Sequence, residues 1–145
     1  MDGEGMKQIT LTMTEDQAES ALKAFELLMR LSMGQIEHLT EMAREGALVK
    51  CMEDGKSQDL SADEVDDINE GLMMIKRIMG HHETSSFGIR NENVPVDGKR
   101  AYELWKVIGQ SLTISRGNAI SGVRGEGLRE SLTNEPIPKA SVNIS

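Results

Sequence analysis

The sequence contains few of the residues on which several classes of protein depend. It has one cysteine, Cys51, among 145 residues, so no disulfide can form within the chain, which favours a reducing compartment. No apolar run approaches the roughly 18 residues that a membrane span needs. The start is acidic, unlike that of a signal peptide. We therefore expect a cytoplasmic protein that does not enter a membrane.

Acidic residues outnumber basic ones, 24 to 16, and aromatic side chains are scarce. The net charge of −8 disfavours duplex nucleic acid as a partner, because binding phosphates requires a basic face. Aromatics make up 3% of the chain, so its core must consist mainly of Leu, Ile, Ala and Met. The length suits one domain. We expect a single domain over 1–145, with a strand-and-helix body over 6–113 and a Gly- and Pro-containing tail over 114–145.

The sequence lacks the side-chain sets that metal binding and catalysis require. His81 and His82 are adjacent and would point to opposite sides of an extended loop, and His38 is distant along the chain, which disfavours a metal site. No nucleophile elbow surrounds Ser85 or Ser86. We therefore predict no enzyme activity, no metal and no cofactor.

Helical periodicity dominates the body of the chain. Thr14 with Gln17 and Ser61 with Glu64 form capping-box signatures at the starts of two apolar repeats. Three helices have more apolar surface than one small core can cover, which predicts self-association. The segments expected to form helices are 14–46 with a kink near 32–34, 61–80, and 96–113.

The remaining segments predict a small sheet and loops. Apolar alternation over Lys7–Met13 indicates a short, half-buried strand. The polar segments 50–58 and 81–97 are expected to be loops, and short strands are expected at 120–124 and 140–144 in the tail. The predicted fold is α+β and helix-dominated, with three main amphipathic helices. Its small antiparallel sheet is formed by the N-terminal strand and the C-terminal tail.

The segment around Phe87 is the strongest indication of a binding site. A large aromatic in a polar loop either anchors the loop on the core or stacks on a base or a partner. Arg90, Asn91 and Asn93 follow closely and supply the groups that contact phosphates and adenine edges. Together they favour a ligand pocket.

A second indication lies in the tail. The glycine-rich segment 122–127 lacks the Lys-Ser/Thr pair of a phosphate-binding loop. It does place flexible backbone around Arg124, with Arg116 upstream, and such groups can hold a phosphate.

Four short segments occur in a distinctive order over about residues 6–113. They are the strand 7–13, Arg30–Gln35 (RLSMGQ), Ser86–Arg90 (SFGIR) and Ala101–Ile108 (AYELWKVI). In this order and spacing the chain resembles a family of small phage proteins, the anti-Thoeris sponges. These proteins sequester the cyclic ADP-ribose isomers that bacterial Thoeris defence uses as an alarm signal.

The resemblance implies a non-enzymatic binder. Members of the family form dimers that assemble into hexamers, with the nucleotide in pockets at protomer interfaces, and Arg30 would line such an interface. Some members also hold cyclic oligonucleotides at a second, arginine-lined site. Gly109–Gln110 stands where basic residues are expected, so the second site is left open for this chain.

The resemblance also implies roles for individual residues. Phe87 would stack on the adenine, with Asn91 or Asp97 touching the ligand nearby. Arg116 or Arg124 would meet the pyrophosphate. The full set of candidate ligand-binding residues is Arg30, Phe87, Arg90, Asn91, Asp97, Arg116 and Arg124.

Two other functions are compatible with the sequence. The Met-rich apolar surplus also fits a structural or regulatory homo-oligomer that acts through protein contacts. An enzyme that degrades the signal would have to use His81, His82, Ser85 or Ser86.

Overall fold

A computed structural model describes residues 6–117 and 127–143. Within them, four helices and one two-stranded antiparallel sheet form a helix-dominated α+β fold, which confirms the predicted class. None of these helices is both long and apolar enough to cross a membrane. The elements, in chain order, are α1 (Glu15–Ser32), α2 (His38–Arg44), β1 (Val49–Cys51), β2 (Ser57–Asp59), α3 (Ala62–Ile78) and α4 (Val96–Ser115).

Both predicted capping boxes are formed. The Thr14 N–H donates to Gln17 Oε1 at 3.0 Å, and the Gln17 N–H donates to Thr14 Oγ1 at 3.1 Å. At the start of α3, the Ser61 N–H donates to Glu64 Oε1 at 3.0 Å and the Glu64 N–H donates to Ser61 Oγ at 3.2 Å. Each pair satisfies two backbone donors that the helix itself cannot satisfy.

The predicted long helix over 14–46 is two helices, α1 and α2. At the end of α1 the Gln35 N–H donates to the Arg30 carbonyl at 2.8 Å, and the Gly34 N–H donates to the Leu31 carbonyl at 3.0 Å. This is a Schellman motif, which needs a left-handed residue at its C′ position. Gly34 supplies it with φ +90°, so the expected kink is a complete helix end.

The sheet lies elsewhere than predicted. It is a hairpin in which Val49 pairs with Asp59 and Cys51 pairs with Ser57, largely within the segment 50–58 expected to be a loop. Every residue of both strands is exposed, and β2 (SQD) contains no apolar residue, so no buried apolar face marks the hairpin. The Met52 N–H donates to the Lys56 carbonyl at 2.8 Å and closes the hairpin turn.

The strands predicted at the two ends of the chain are not formed. Lys7–Met13 has the alternation of a strand but pairs with no described strand, and its side chains are exposed. Residues 140–143 also carry no strand, because their backbone groups find no partner among the described residues. The strand predicted at 120–124 lies outside the described residues.

The chain divides into two compact units. Unit 1 comprises Met1–Met29 and Ile89–Ser145, and unit 2 comprises Arg30–Gly88. The core of unit 1 is built on Leu22 of α1 and on Ile108 and Leu112 of α4. In unit 2, α2 packs against α3. The buried apolar residues of unit 2 are Met33, Ile36, Ala43, Val65 and Leu72.

Candidate functional site

In unit 2, a histidine ring lies against the glycine that ends α1. A Cβ atom at Gly34 would overlap the ring of His81, so this position requires glycine for space as well as for its φ. The His81 ring meets the Phe87 ring edge to face, with centroids 5.0 Å apart and planes at 77°. The Phe87 N–H donates to the Met33 carbonyl at 2.8 Å. The half-buried aromatic is therefore held through both its ring and its backbone.

A chain of side-chain hydrogen bonds connects the same two segments. Arg30 Nη1 donates to Gln35 Oε1 at 2.6 Å. Gln35 Nε2 donates to Ser86 Oγ at 3.3 Å, beside Phe87 in the sequence. The RLSMGQ and SFG segments thus meet in one place. We name it the Arg30–Phe87 cluster and define it by Arg30, Gly34, Gln35, His81, Ser86 and Phe87.

A buried lysine fixes the loop that carries part of this cluster. Lys76 of α3 is 1% exposed. Its ammonium lies 3.0 and 2.9 Å from the carboxylate oxygens of Glu37 and 3.0 Å from the carbonyl of Glu83. These bonds join α2, α3 and the start of the loop that leads to Phe87. The hydrogen bonds of Lys76 therefore hold the loop of the Arg30–Phe87 cluster against α2 and α3 within unit 2.

The geometry at Ser85 is that of a closed turn. Its hydroxyl accepts from the His82 N–H at 2.8 Å and donates to the His82 carbonyl at 3.2 Å. His81 Nδ1 lies 3.5 Å away, at the outer limit of a hydrogen bond. The hydroxyl is thus already engaged with its own backbone.

Of the predicted ligand-binding residues, Phe87 and Arg30 share this cluster, whereas four others belong to unit 1. Arg90 pairs with Glu130 at 3.1 Å on the surface. The Asn91 carboxamide oxygen accepts from the Asn93 N–H at 2.8 Å and shapes the turn before α4.

The other unit 1 candidates are also engaged with charged neighbours. Asp97 lies 3.4 Å from the Arg100 guanidinium. Arg116 lies 3.3 Å from the Glu19 carboxylate and 3.7 Å from that of Glu15. Arg124 lies outside the described residues.

Unit 1 has a cleft of about 590 Å³ at the start of α4, a volume typical of small-ligand pockets. Lys99 and Arg100 contribute cations to it, and Asn93, Asn134 and Thr133 contribute neutral polar groups. The sequence interpretation did not identify this cleft. Lys99 and Arg100 lie close to the start of α4, where basic side chains oppose the helix dipole, and that was the available signal for an acidic partner nearby.

That acidic partner is Glu135. It accepts from Arg100 Nε at 2.6 Å and, with Asp97, raises the pKa of the guanidinium above its ordinary value. The tail segment that carries it is fastened to α4 by Glu103, which is 2% exposed. The Glu103 carboxylate accepts from Ser131 Oγ at 2.7 Å, Thr133 Oγ1 at 3.1 Å and the Leu132 N–H at 3.3 Å.

Among the described residues, no group of three or more His, Cys, Asp or Glu side chains is close enough to hold a metal ion. Comparison of the chain with protein-family models, with curated proteins and with solved structures yields no match in any of the three.

Proposed function

We propose that the protein is a non-enzymatic sponge that binds and retains a cyclic ADP-ribose-type nucleotide in the cytoplasm and thereby blocks Thoeris defence. The observation that carries the proposal is the Arg30–Phe87 cluster. Its hydrogen bonds bring a guanidinium and an aromatic ring into one structural unit. A nucleotide needs both, because its base stacks on an aromatic face and its phosphates bind a guanidinium.

The way Phe87 is held suits tight retention. Its ring contacts His81 and its N–H is bonded to Met33, so little side-chain freedom remains to be lost on binding. A pre-organised contact group raises affinity by lowering that entropic cost. Retention requires no acid, base or nucleophile, which is consistent with a Ser85 hydroxyl engaged in its own turn.

We also propose that the ligand pocket is completed between copies of the chain, in an assembly between a dimer and a hexamer. Such an assembly surrounds a small polar molecule without a deep cavity in one chain. In this arrangement Arg90 and Arg116 would contribute to the pocket by exchanging their carboxylate partners for the phosphates of the nucleotide.

Native mass spectrometry with cyclic ADP-ribose isomers and linear ADP-ribose tests the proposal and also gives the stoichiometry. We expect one isomer to stay bound after buffer exchange and to be recovered chemically intact on heating. Because base stacking on an aromatic contributes about 1–3 kcal/mol, Phe87→Leu should weaken retention about 10-fold or more.

Two variants sharpen the test. Phe25→Leu is the matched control, because Phe25 packs in the core of unit 1 and its change should leave retention intact. Lys99→Gln in the unit 1 cleft should also leave retention intact. Loss of retention in Lys99→Gln alone would place the ligand in that cleft, and failure to retain any cyclic nucleotide would refute the sponge function.

An exposed apolar surface supports a second candidate, a structural or regulatory homo-oligomer. The last turns of α3 and the residue that caps the helix carry Met74, Ile75, Ile78 and Met79, which are 59, 47, 81 and 47% exposed. Surfaces of this kind are typical of protein contacts. Ile78→Glu should dissociate such an assembly in light scattering, whereas Ile114→Glu on α4 should not. If Phe87→Ala assembles normally but loses the nucleotide, this candidate fails as the main function.

A further inference from the structure

We draw no further inference here: the strongest candidate, the cleft of about 590 Å³ between the start of α4 and the tail segment 132–135, rests on a helix N-terminus whose basic side chains, Lys99 and Arg100, are matched by the carboxylates of Glu92 and Glu135 in the same lining, and nothing else among the described residues points to a ligand there.

Discussion

In each unit, a buried charged side chain on a helix forms hydrogen bonds that hold a neighbouring loop in place. The buried group is a cation in unit 2 and an anion in unit 1, and the two groups have different kinds of partner. In unit 2, the ammonium of Lys76 is held by the carboxylate of Glu37 and by one backbone carbonyl. In unit 1, the carboxylate of Glu103 is held by two hydroxyls and one backbone N–H of the segment 131–133. One arrangement relies on a counter-charge and the other distributes the charge over neutral donors.

This difference determines where a single substitution is most damaging. The Glu37 side chain is 38% exposed, so most of the burial falls on the Lys76 ammonium, which is 1% exposed. A buried charge without its counter-charge is far more costly than a neutral donor without its acceptor. Unit 2 should therefore be more sensitive than unit 1 to the loss of one polar partner.

The largest effect should come from Glu37→Ala. It leaves the Lys76 ammonium buried without a counter-charge, so we expect the free energy of unfolding in urea to fall by about 3–5 kcal/mol. Glu41→Ala is the matched control, because Glu41 forms a surface ion pair with Arg44 and should contribute about 1 kcal/mol or less. Equal losses in the two variants would remove the distinction between the units.

The second-largest effect should come from a substitution in unit 2 that creates a steric overlap and leaves every charge unchanged. Gly34→Ala places a methyl group against the His81 ring at a residue with φ +90°, and we expect a loss of about 2 kcal/mol or more. Gly71→Ala, in α3, should act in the opposite direction. A Cβ atom there meets nothing within 4 Å, so helix propensity should raise stability by about 0.5–1 kcal/mol. Thermal unfolding of both variants checks the sign and the size.

Local features of the fold could be predicted from the sequence, whereas non-local ones could not. The starts of α1 and α3 were found because each capping box lies within four residues. The hairpin was missed because its strands are three residues long and exposed, and the feature that defines it is the pairing between β1 and β2. The N-terminal segment is the opposite case. It has the apolar alternation of a strand, but no described strand pairs with it.

The same holds for the candidate site. Arg30 and Phe87 were identified separately, but only the folded chain brings them into one cluster through Gln35 and Ser86. Lys76 was missed because a lysine in an amphipathic helix is usually exposed. Its spacing of 11 and 4 residues from Val65 and Leu72, which are also buried, was the signal that it faces the core.

A smaller effect is expected for the neutral arrangement of unit 1. Glu103→Gln keeps one acceptor oxygen but turns an amide donor toward the donors of the segment 131–133, so we expect a loss of about 1–2 kcal/mol. Hydrogen exchange should locate the change, with faster exchange of the Leu132 and Thr133 amides. Glu130→Gln is the control, because the Glu130 pair with Arg90 is exposed. A loss as large as that of Glu37→Ala would contradict the comparison.

The smallest effect on stability should come from protonation of Glu64, a carboxylate that has hydrogen-bond partners but is partly exposed to solvent. The pKa of Glu64 is lowered from 4.5 to about 2, first by the hydrogen bond with Lys50 and then by those with Ser61. Because the folded pKa is the lower one, this contribution is present above pH 4.5 and is lost as the pH falls toward 2. The side chains of Lys50 and Glu64 are 46 and 33% exposed, so water and salt screen the pair.

Carboxyl NMR titration of Glu64 measures this shift directly. The midpoint should move up toward its ordinary value in Lys50→Met, and less so in Ser61→Ala, because Lys50 is the larger cause. Molar salt should also raise it in the unmodified chain, because the ion pair is accessible to solvent. A shift that persists in Lys50→Met would mean that the capping box alone stabilises the carboxylate. The exposed ion pair between Lys50 and Glu64 would then contribute nothing measurable at the start of α3. In unit 2, a counter-charge would matter only where the charged group is buried, as the Lys76 ammonium is.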